Sequence, residues 1–307
     1  MQALTANQVR LGFIGVGAMG SRLVRRLLAH GFKVTVYDKN QSNAEALRAN
    51  GASVATTPGE VATSADVILS CLTNDAAVRD VYLGPQGIFS TANPGNVVLE
   101  MSTISPNASR AVHAAGAQRG VDVLDVAISG STPAVEQGTI TLLAGGDPEV
   151  FEASKPIFQA IASQYFLMGP SGAGTSMKLA VNTILGVGMQ AIAEGIALGE
   201  AEGLDRQRLL TVLAQTAVIP PAHKGKLAKA QRNDYSPQFG VGLMNKDFRL
   251  ILETAKSSDL RLPATAAAYD VNSAAMEEDP ESDISSIIRY MENLVGKVFA
   301  QAEDRVT

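Results

Sequence analysis

Residues 10–14 (RLGFI) run straight into Gly15, Gly17 and Gly20; a helix-forming stretch SRLVRRLLAHG follows, and a second strand-like run, KVTVY, ends at Asp38. A bare G-x-G-x-x-G is common, but strand, turn, helix, strand and terminal acid in this order are what a phosphate-cradling βαβ unit needs. Gly15 permits the tight turn, Gly17 lets the backbone approach a pyrophosphate, and Gly20 lets the helix pack close to the strand. The start of that helix offers unpaired N–H groups and the positive end of its dipole to phosphates. Asp38 stands where a carboxylate accepts hydrogen bonds from ribose hydroxyls. The chain reads as one that binds a dinucleotide.

The first half alternates short β-rich runs with helical ones, the mark of a mostly parallel sheet wrapped by helices. Strands are expected over 10–14, 33–37, 66–71, 96–101, 121–128, 139–144 and 164–167, with helices over 21–30, 42–50, 75–82, 106–120 and 148–162 between them. After Gly169-Pro170-Ser171-Gly172 the texture changes to helical periodicity throughout: 175–202, 205–216, 221–231, 241–256, 263–276 and 284–302. Asp205 and Asp283 are candidate N-caps. The fold class expected is therefore α/β: a doubly wound, Rossmann-type sheet domain over 1–170, then an all-α domain over 171–307, joined by a long interdomain helix. Gly195, Gly199 and Gly203 fall at i, i+4 spacing on that helix, with Gly188 nearby, and predict a face that another helix approaches closely, in this chain or in a second subunit.

At 307 residues the chain is long for a single core. A net charge of −5 gives no basic surface for phosphate backbones, which argues against nucleic acid as a partner. The apolar stretch from Leu179 to Leu204 is broken by Asn182, Gln190, Glu194, Glu200 and Glu202, so no membrane span is expected. Cys71 is the only cysteine, which excludes an intrachain disulfide and suits a reducing cytoplasm; it closes the run DVILSC and reads as a small buried hydrophobe. The N-terminal MQALTANQVR lacks an apolar core and a small-residue cleavage pattern, so export is not expected. His30, His113 and His223 show no metal-ligand spacing, and no metal is expected.

A second constellation opens the helical half. Lys178 and Asn182 lie four residues apart just after Gly172-Ala173-Gly174, on one face of the helix. A dinucleotide enzyme needs a group that moves a proton, and a lysine of lowered pKa with an asparagine to hold it in register meets that need. By pattern alone an ordinary solvated lysine near a helix start is the stronger reading.

Five ordered segments carry a resemblance over almost the whole chain. GVGAMG at 15–20, EMSTISP at 100–106, ISGSTPAVEQGTI at 128–140, GAGTSMKLAVN at 172–182 and NKDFRLILE at 245–253 look like the successive motifs of the β-hydroxyacid dehydrogenase family, which includes 3-hydroxyisobutyrate dehydrogenases and tartronate semialdehyde reductases. The resemblance implies that Lys178 is the catalytic acid/base and Asn182 its positioning partner. It implies a substrate carboxylate held by Ser129, Gly130 and Ser131, with Ser102 and Thr103 along the nicotinamide. Lys246 would reach cofactor and substrate from the second domain, and Asp247 would orient it. With Gly15, Gly17, Ala18, Met19, Gly20, Asp38, Lys39, Leu72 and Thr73, these complete the candidate site. A Ser-Gly-Ser loop after a strand is also a reasonable anion nest by its own chemistry, with an ordinary turn as the alternative.

The expected activity is hydride transfer between NAD(P) and a small carboxylate-bearing 3-hydroxyacid or its semialdehyde, in a cleft between the domains. NAD is the cofactor expected, because Asp38 repels a 2′-phosphate; Lys39 beside it offsets part of that repulsion, so NADP is the second candidate. A homodimer or homotetramer is expected, since helical C-terminal domains of this kind often support oligomers. Two other readings stand beside this one. An imine reductase of the same superfamily would ordinarily lack Lys178, and a noncatalytic nucleotide-binding protein would have no use for Lys178, Asn182 and the Ser-Gly-Ser loop together. The chain departs from the family pattern at Glu100, where aspartate is common, at Ala127 (proline) and at Ser131 (glycine), and Pro133-Ala134-Val135 fill a position that varies with substrate.

Overall fold

The computed structural model describes residues 1–294. The chain divides into two compact units, Met1–Leu179 and Ala180–Thr307. The division falls inside the long helix, a few residues beyond the turn at 169–172 where the sequence changes texture.

The first unit is built on one sheet of eight strands: β1 (Arg10–Ile14), β2 (Lys33–Tyr37), β3 (Ser53–Val54), β4 (Val67–Ser70), β5 (Val97–Glu100), β6 (Asp122–Ser129), β7 (Ile140–Gly145) and β8 (Ala162–Leu167). Their order is β3-β2-β1-β4-β5-β6-β7-β8, and every pairing is parallel except β6 with β7. The first six strands follow the 3-2-1-4-5-6 order of a doubly wound dinucleotide fold, whose topological switch lies between β1 and β4. Central strands of such a sheet are covered on both faces, so β4 (VILS) and β5 (VVLE) are buried at every residue and show no alternation. Their side chains still alternate in direction. Leu11, Phe13, Val67, Leu69, Val97 and Leu99 enter one apolar cluster. Ile14, Ile68 and Val98 enter the other, on the opposite face.

The connecting helices are α1 (Ala18–Ala29), α2 (Gln41–Glu45), α3 (Pro58–Ser64), α4 (Asp75–Leu83), α5 (Ile88–Thr91), α6 (Pro106–Ala117), α7 (Thr132–Gln137) and α8 (Pro148–Ile161). Leu23, Val24 and Leu27 of α1 fill the first cluster, and Val61 of α3 with Tyr82 of α4 the second. The single helix expected over 42–50 is instead α2 plus a 3-10 turn at Arg48–Asn50. The carbonyl of Leu47, whose side chain is fully buried, accepts from Asn50 and Ala52 N–H, and this tightening lets the chain re-enter the sheet as the two-residue β3. β3, α3, α5 and α7 have no counterpart in the periodicity.

In the second unit α9 (Ala173–Ala201), which crosses the division, is followed by α10 (Arg206–Gln215), α11 (Pro221–Gln231), α12 (Val241–Ser257), α13 (Pro263–Glu278) and helical residues 286–294. The part of the expected 284–302 helix beyond 294 lies outside the described residues. Asp205 caps α10 by accepting from Arg208 N–H at 2.8 Å. Asp283, three residues before the helix that begins at 286, is fully buried and accepts from Lys226 Nζ at 2.6 Å, from Gln238 and Phe239 N–H, and from both the N–H and the hydroxyl of Ser285. His223, also buried, lies 2.9 Å from the Leu185 carbonyl through Nε2.

The glycines of α9 divide by role. A Cβ at Gly199 would stand 2.7 Å from Leu209 of α10, and one at Gly186 would stand 2.4 Å from the ring of Phe248 on α12, so helices of this same chain make those close approaches. A Cβ at Gly195 would meet nothing within 4 Å. Gly203, at φ +84°, ends the helix in the left-handed region. By length and composition α9 would suffice to cross a membrane, but 44% of that window is packed inside the fold, and its buried Asn182 and Gln190 are bonded to Asp247 and Glu194.

Candidate active site

The turn after β1 is shaped as the glycines require. Gly15 sits at φ +86°, with the Cys71 carbonyl 2.3 Å from where a Cβ would be. A Cβ on Gly20 would fall 2.0 Å from the Gly15 carbonyl, so helix and turn are in direct backbone contact. Around Gly17 there is open space. Gly17 is also the N-cap of α1 and has no side-chain cap, so the first N–H groups of the helix, including those of Ala18 and Met19, point to that space without an intrahelical partner. An uncapped helix start beside a site with no Cβ fits a pyrophosphate.

That space belongs to a cleft of about 720 Å³ at the switch between β1 and β4, lined by Gly15, Gly17, Asp38, Lys39, Leu72 and Thr73 of the expected residues. Asp38 ends β2 with its carboxylate accepting from Val16 N–H and Asn40 N–H, both at 2.8 Å, and from the Asn43 amide at 3.3 Å. Its acceptor positions are thus fixed by the backbone of the glycine turn itself. Asn43, Pro58, Ala77, Asp80 and the turn 84–87 complete the walls. Asn43 falls in the helix expected over 42–50 and Ala77 and Asp80 in that expected over 75–82, but nothing in these residue types marks them as facing the cleft; Pro58 and the turn 84–87 lie on a short helix and a turn without periodic signal. Cys71, expected to be buried, is only half-buried and lines this cleft: it lies just beyond the last residue of β4, where the sheet opens. Ser102, Thr103, Ser129–Ser131 and Lys178 are not among its lining residues.

Ser102 is nevertheless tied to it. Its Oγ accepts from Leu72 N–H at 2.7 Å, joining the loop after β5 to the loop after β4. Behind it lies Glu100, 2% exposed, whose Oε1 accepts from Ser102 N–H at 2.9 Å. Burial above all, and the neighbouring Asp125 carboxylate, push this acid up to about 8 against the lowering effect of its Ser102 and Ser70 donors.

β6 carries two further groups. Asp125, also 2% exposed, accepts from Gly172 N–H at 2.7 Å and from Thr175 N–H at 2.8 Å, with the Thr175 hydroxyl at 3.2 Å. A carboxylate from the sheet thus caps α9, and Lys178, half-buried, stands three residues past Thr175. At the end of the same strand, Gly130 has φ +151° and would place a Cβ 2.6 Å from Ile140. Ser131 is the N-cap of α7, yet its side chain makes no capping bond. Arg22 of α1 pairs with Glu136 of α7 at 2.6 Å.

In the second unit, Asp247 is 1% exposed and joins two expected residues: Asn182 Nδ2 donates to it at 2.5 Å, and Lys246 Nζ lies 2.9 Å away. The buried Asn182 Oδ1 accepts no hydrogen bond. Donation to a carboxylate fixes which end of the amide is which, so an acceptor is left for something else.

Two family descriptions match successive parts of this chain: the NAD-binding domain of 6-phosphogluconate dehydrogenase over residues 10–169, and the NAD-binding region of NADP-dependent 3-hydroxyisobutyrate dehydrogenase over 172–291. The 2-(hydroxymethyl)glutarate dehydrogenase of Eubacterium barkeri is 32% identical over 94% of this chain and 96% of its own length. The NAD-dependent L-serine dehydrogenase of Pseudomonas aeruginosa is 34% identical over 94% and 99%. Among solved structures, Mycobacterium tuberculosis 3-hydroxyisobutyrate dehydrogenase with L-serine superposes with a TM-score of 0.84 at 27% identity, covering 92% of this chain and 98% of that one. Imine reductases such as the Myxococcus stipitatus one, at 20% identity and a TM-score of 0.64, share the fold alone.

Proposed function

We propose, from the premise that this chain belongs to the β-hydroxyacid dehydrogenase family and is an NAD(P)-dependent oxidoreductase, that Lys178 is its acid/base and that its substrates share a 3-hydroxypropanoate core. The names of the relatives support the second part. L-Serine, 3-hydroxyisobutyrate and 2-(hydroxymethyl)glutarate all carry a hydroxymethyl group on the carbon next to a carboxylate, and differ in the other substituent on that carbon.

The observation that carries the reading is β6. One strand holds the cap of the helix that bears Lys178 and, four residues on, begins the Ser129–Ser131 loop read as the carboxylate seat. The bound nicotinamide accepts or supplies the hydride, and the protein's task is to hold the reacting carbon and move one proton. In the reducing direction the Lys178 ammonium donates to the carbonyl oxygen; in the oxidising direction its neutral amine takes the proton from the hydroxyl. Asn182, one turn along α9 and anchored by Asp247, offers its unused Oδ1 to the lysine or the substrate hydroxyl. The Ser129 and Ser131 hydroxyls and the loop N–H groups receive the carboxylate.

We also read the chain as a homo-oligomer. Ile184 and Leu198 on α9 are 70% and 65% exposed, and with Ala180, Ala191 and the open Gly195 they form an apolar stripe along one face, which suits a second copy.

A panel of 2-substituted 3-hydroxypropanoates and their semialdehydes, followed by nicotinamide absorbance with NAD and NADP in parallel, tests the function. Turnover of at least one acid is expected. Turnover of cyclic imines with none of the acids would overturn the proposal.

A further inference from the structure

The function proposed above gives Glu100 no part in proton transfer or substrate binding, yet it is a buried carboxyl behind the loops that follow β4 and β5. It closes β5, and its Oε1 lies 2.9 Å from Ser102 N and 3.4 Å from the Ser70 hydroxyl, which is itself 2.7 Å from Tyr82 OH on α4. Ser102 in turn receives the Leu72 N–H at 2.7 Å. One chain of polar contacts therefore runs from α4 through the ends of β4 and β5 to a wall of the cofactor cleft. We propose that Glu100 is a positioning residue for the cofactor: by holding Ser102 and Ser70 together it sets the spacing of the loops that carry Leu72, Thr73 and Ser102. This rests on the reading of those loops as the cofactor's seat.

The neutral acid is the form suited to this task. Glu100 Oε2 has no hydrogen-bond partner, and the residue in register with Glu100 on β6 is Asp125, whose carboxylate is committed to capping α9. An ionised Glu100 would place a second negative charge there with one oxygen unsolvated. Other groups facing it cannot neutralise that charge. α4 supplies Tyr82, β4 supplies Ser70, and α6 turns Pro106, Ser109, Val112 and Gly116 inward. Burial and Asp125 hold the acid at about 8, so it ionises just above neutrality.

The consequence is an alkaline loss of cofactor affinity. If only the neutral form seats the loops, about a tenth of the protein is competent at pH 9, and the apparent Kd there should be roughly tenfold higher than at pH 7. The test is the Kd of the full-length protein for NAD and NADH, from nicotinamide fluorescence and calorimetry between pH 6.5 and 9.5, for wild type and Glu100→Gln. Glutamine keeps the acceptor and replaces the acid's O–H with an N–H, so E100Q should bind within about twofold of wild type at pH 7 and lose the alkaline weakening.

The protein without cofactor gives a second reading. Glu100 ionises above about 4.5 in the unfolded chain but only near 8 in the folded one, so wild type should lose thermal stability relative to E100Q as pH climbs across that window, with a constant gap above it. A wild-type Kd that stays flat from pH 7 to 9 would overturn the inference with no variant needed, and so would an E100Q profile that weakens as wild type does. Failure of wild type to bind either nucleotide at pH 7 would instead overturn the cofactor reading beneath it.

Discussion

Two buried carboxyl groups, one in each unit, are held in opposite ways. In the second unit Asp283 is fully enclosed and receives five donors, among them Lys226 at 2.6 Å. In the first unit Glu100 is as deeply enclosed but has one short hydrogen bond, an oxygen with no partner, and Asp125 for a neighbour. Asp283 acts as a staple, with both carboxylate oxygens matched inside the fold. The sheet unit leaves polar groups short of partners at the carboxyl ends of its strands, where a doubly wound fold binds ligands. The uncapped start of α1 is another such group. Unmatched buried atoms occur in the second unit as well, Asn182 Oδ1 among the expected site residues and His223 Nδ1 away from them, so the contrast is between these two carboxyl groups.

The largest expected effect lies in the first unit. Lys178→Ala should lower single-turnover rate by about 10²–10⁴-fold while leaving cofactor affinity near wild type, since in our reading the glycine turn and Asp38 are what would hold the dinucleotide. Hydride transfer at close to the wild-type rate would remove Lys178 from the chemistry. Next comes the Asp283 staple. Lys226→Met strands a fully buried Asp283 and should cost about 3–5 kcal/mol in denaturant unfolding, whereas the double replacement Lys226→Met with Asp283→Leu should recover most of that loss. An equal cost for the single and double variants would show that the pair is not a staple, and the contrast with Glu100 would disappear.

Smaller effects sharpen the comparison within the first unit. Ser129→Ala removes a charge-assisted bond of about 1.5–3 kcal/mol, so KM for an acid substrate should rise by about tenfold or more with kcat little changed. An unchanged KM would move the carboxylate seat off this loop. The smallest concerns Asp38: NAD should have the higher kcat/KM, by a modest factor because Lys39 stands beside it in the cleft wall. A preference for NADP would mean that Lys39 outweighs Asp38.

The two units also differed in what could be read from their residues. β1 and β2 were legible to the residue, because a largely apolar run ended by Gly15 and an alternating one ended by Asp38 have few other meanings. Lys178, Asn182 and Ser129 were legible only through the resemblance, since their spacing alone fits a solvated helix and a turn. Glu100 showed only as a departure from the aspartate common in the family, its burial being a property of β5 and β6 pairing. Illegible altogether were contacts between residues far apart in the chain: Asp125 with Gly172, 47 residues on, or Lys226 with Asp283, 57 residues on. Short elements escaped for a related reason. β3 has two residues and α7 six, too few to express a period, and they exist because neighbours hold them.

β6 has one more implication, concerning measurement. Asp125 and Ser129 are separated by four residues of extended backbone, a span of about 13 Å that cannot stretch, because the rise of a strand is fixed by covalent geometry and its pleat. If one end of that span stations the proton donor and the other the carboxylate, the enzyme gauges the length of its substrate with main chain instead of a pocket. Side-chain replacements around the loop would then alter which branches are tolerated at the central carbon, and leave untouched how many carbons separate acid from alcohol.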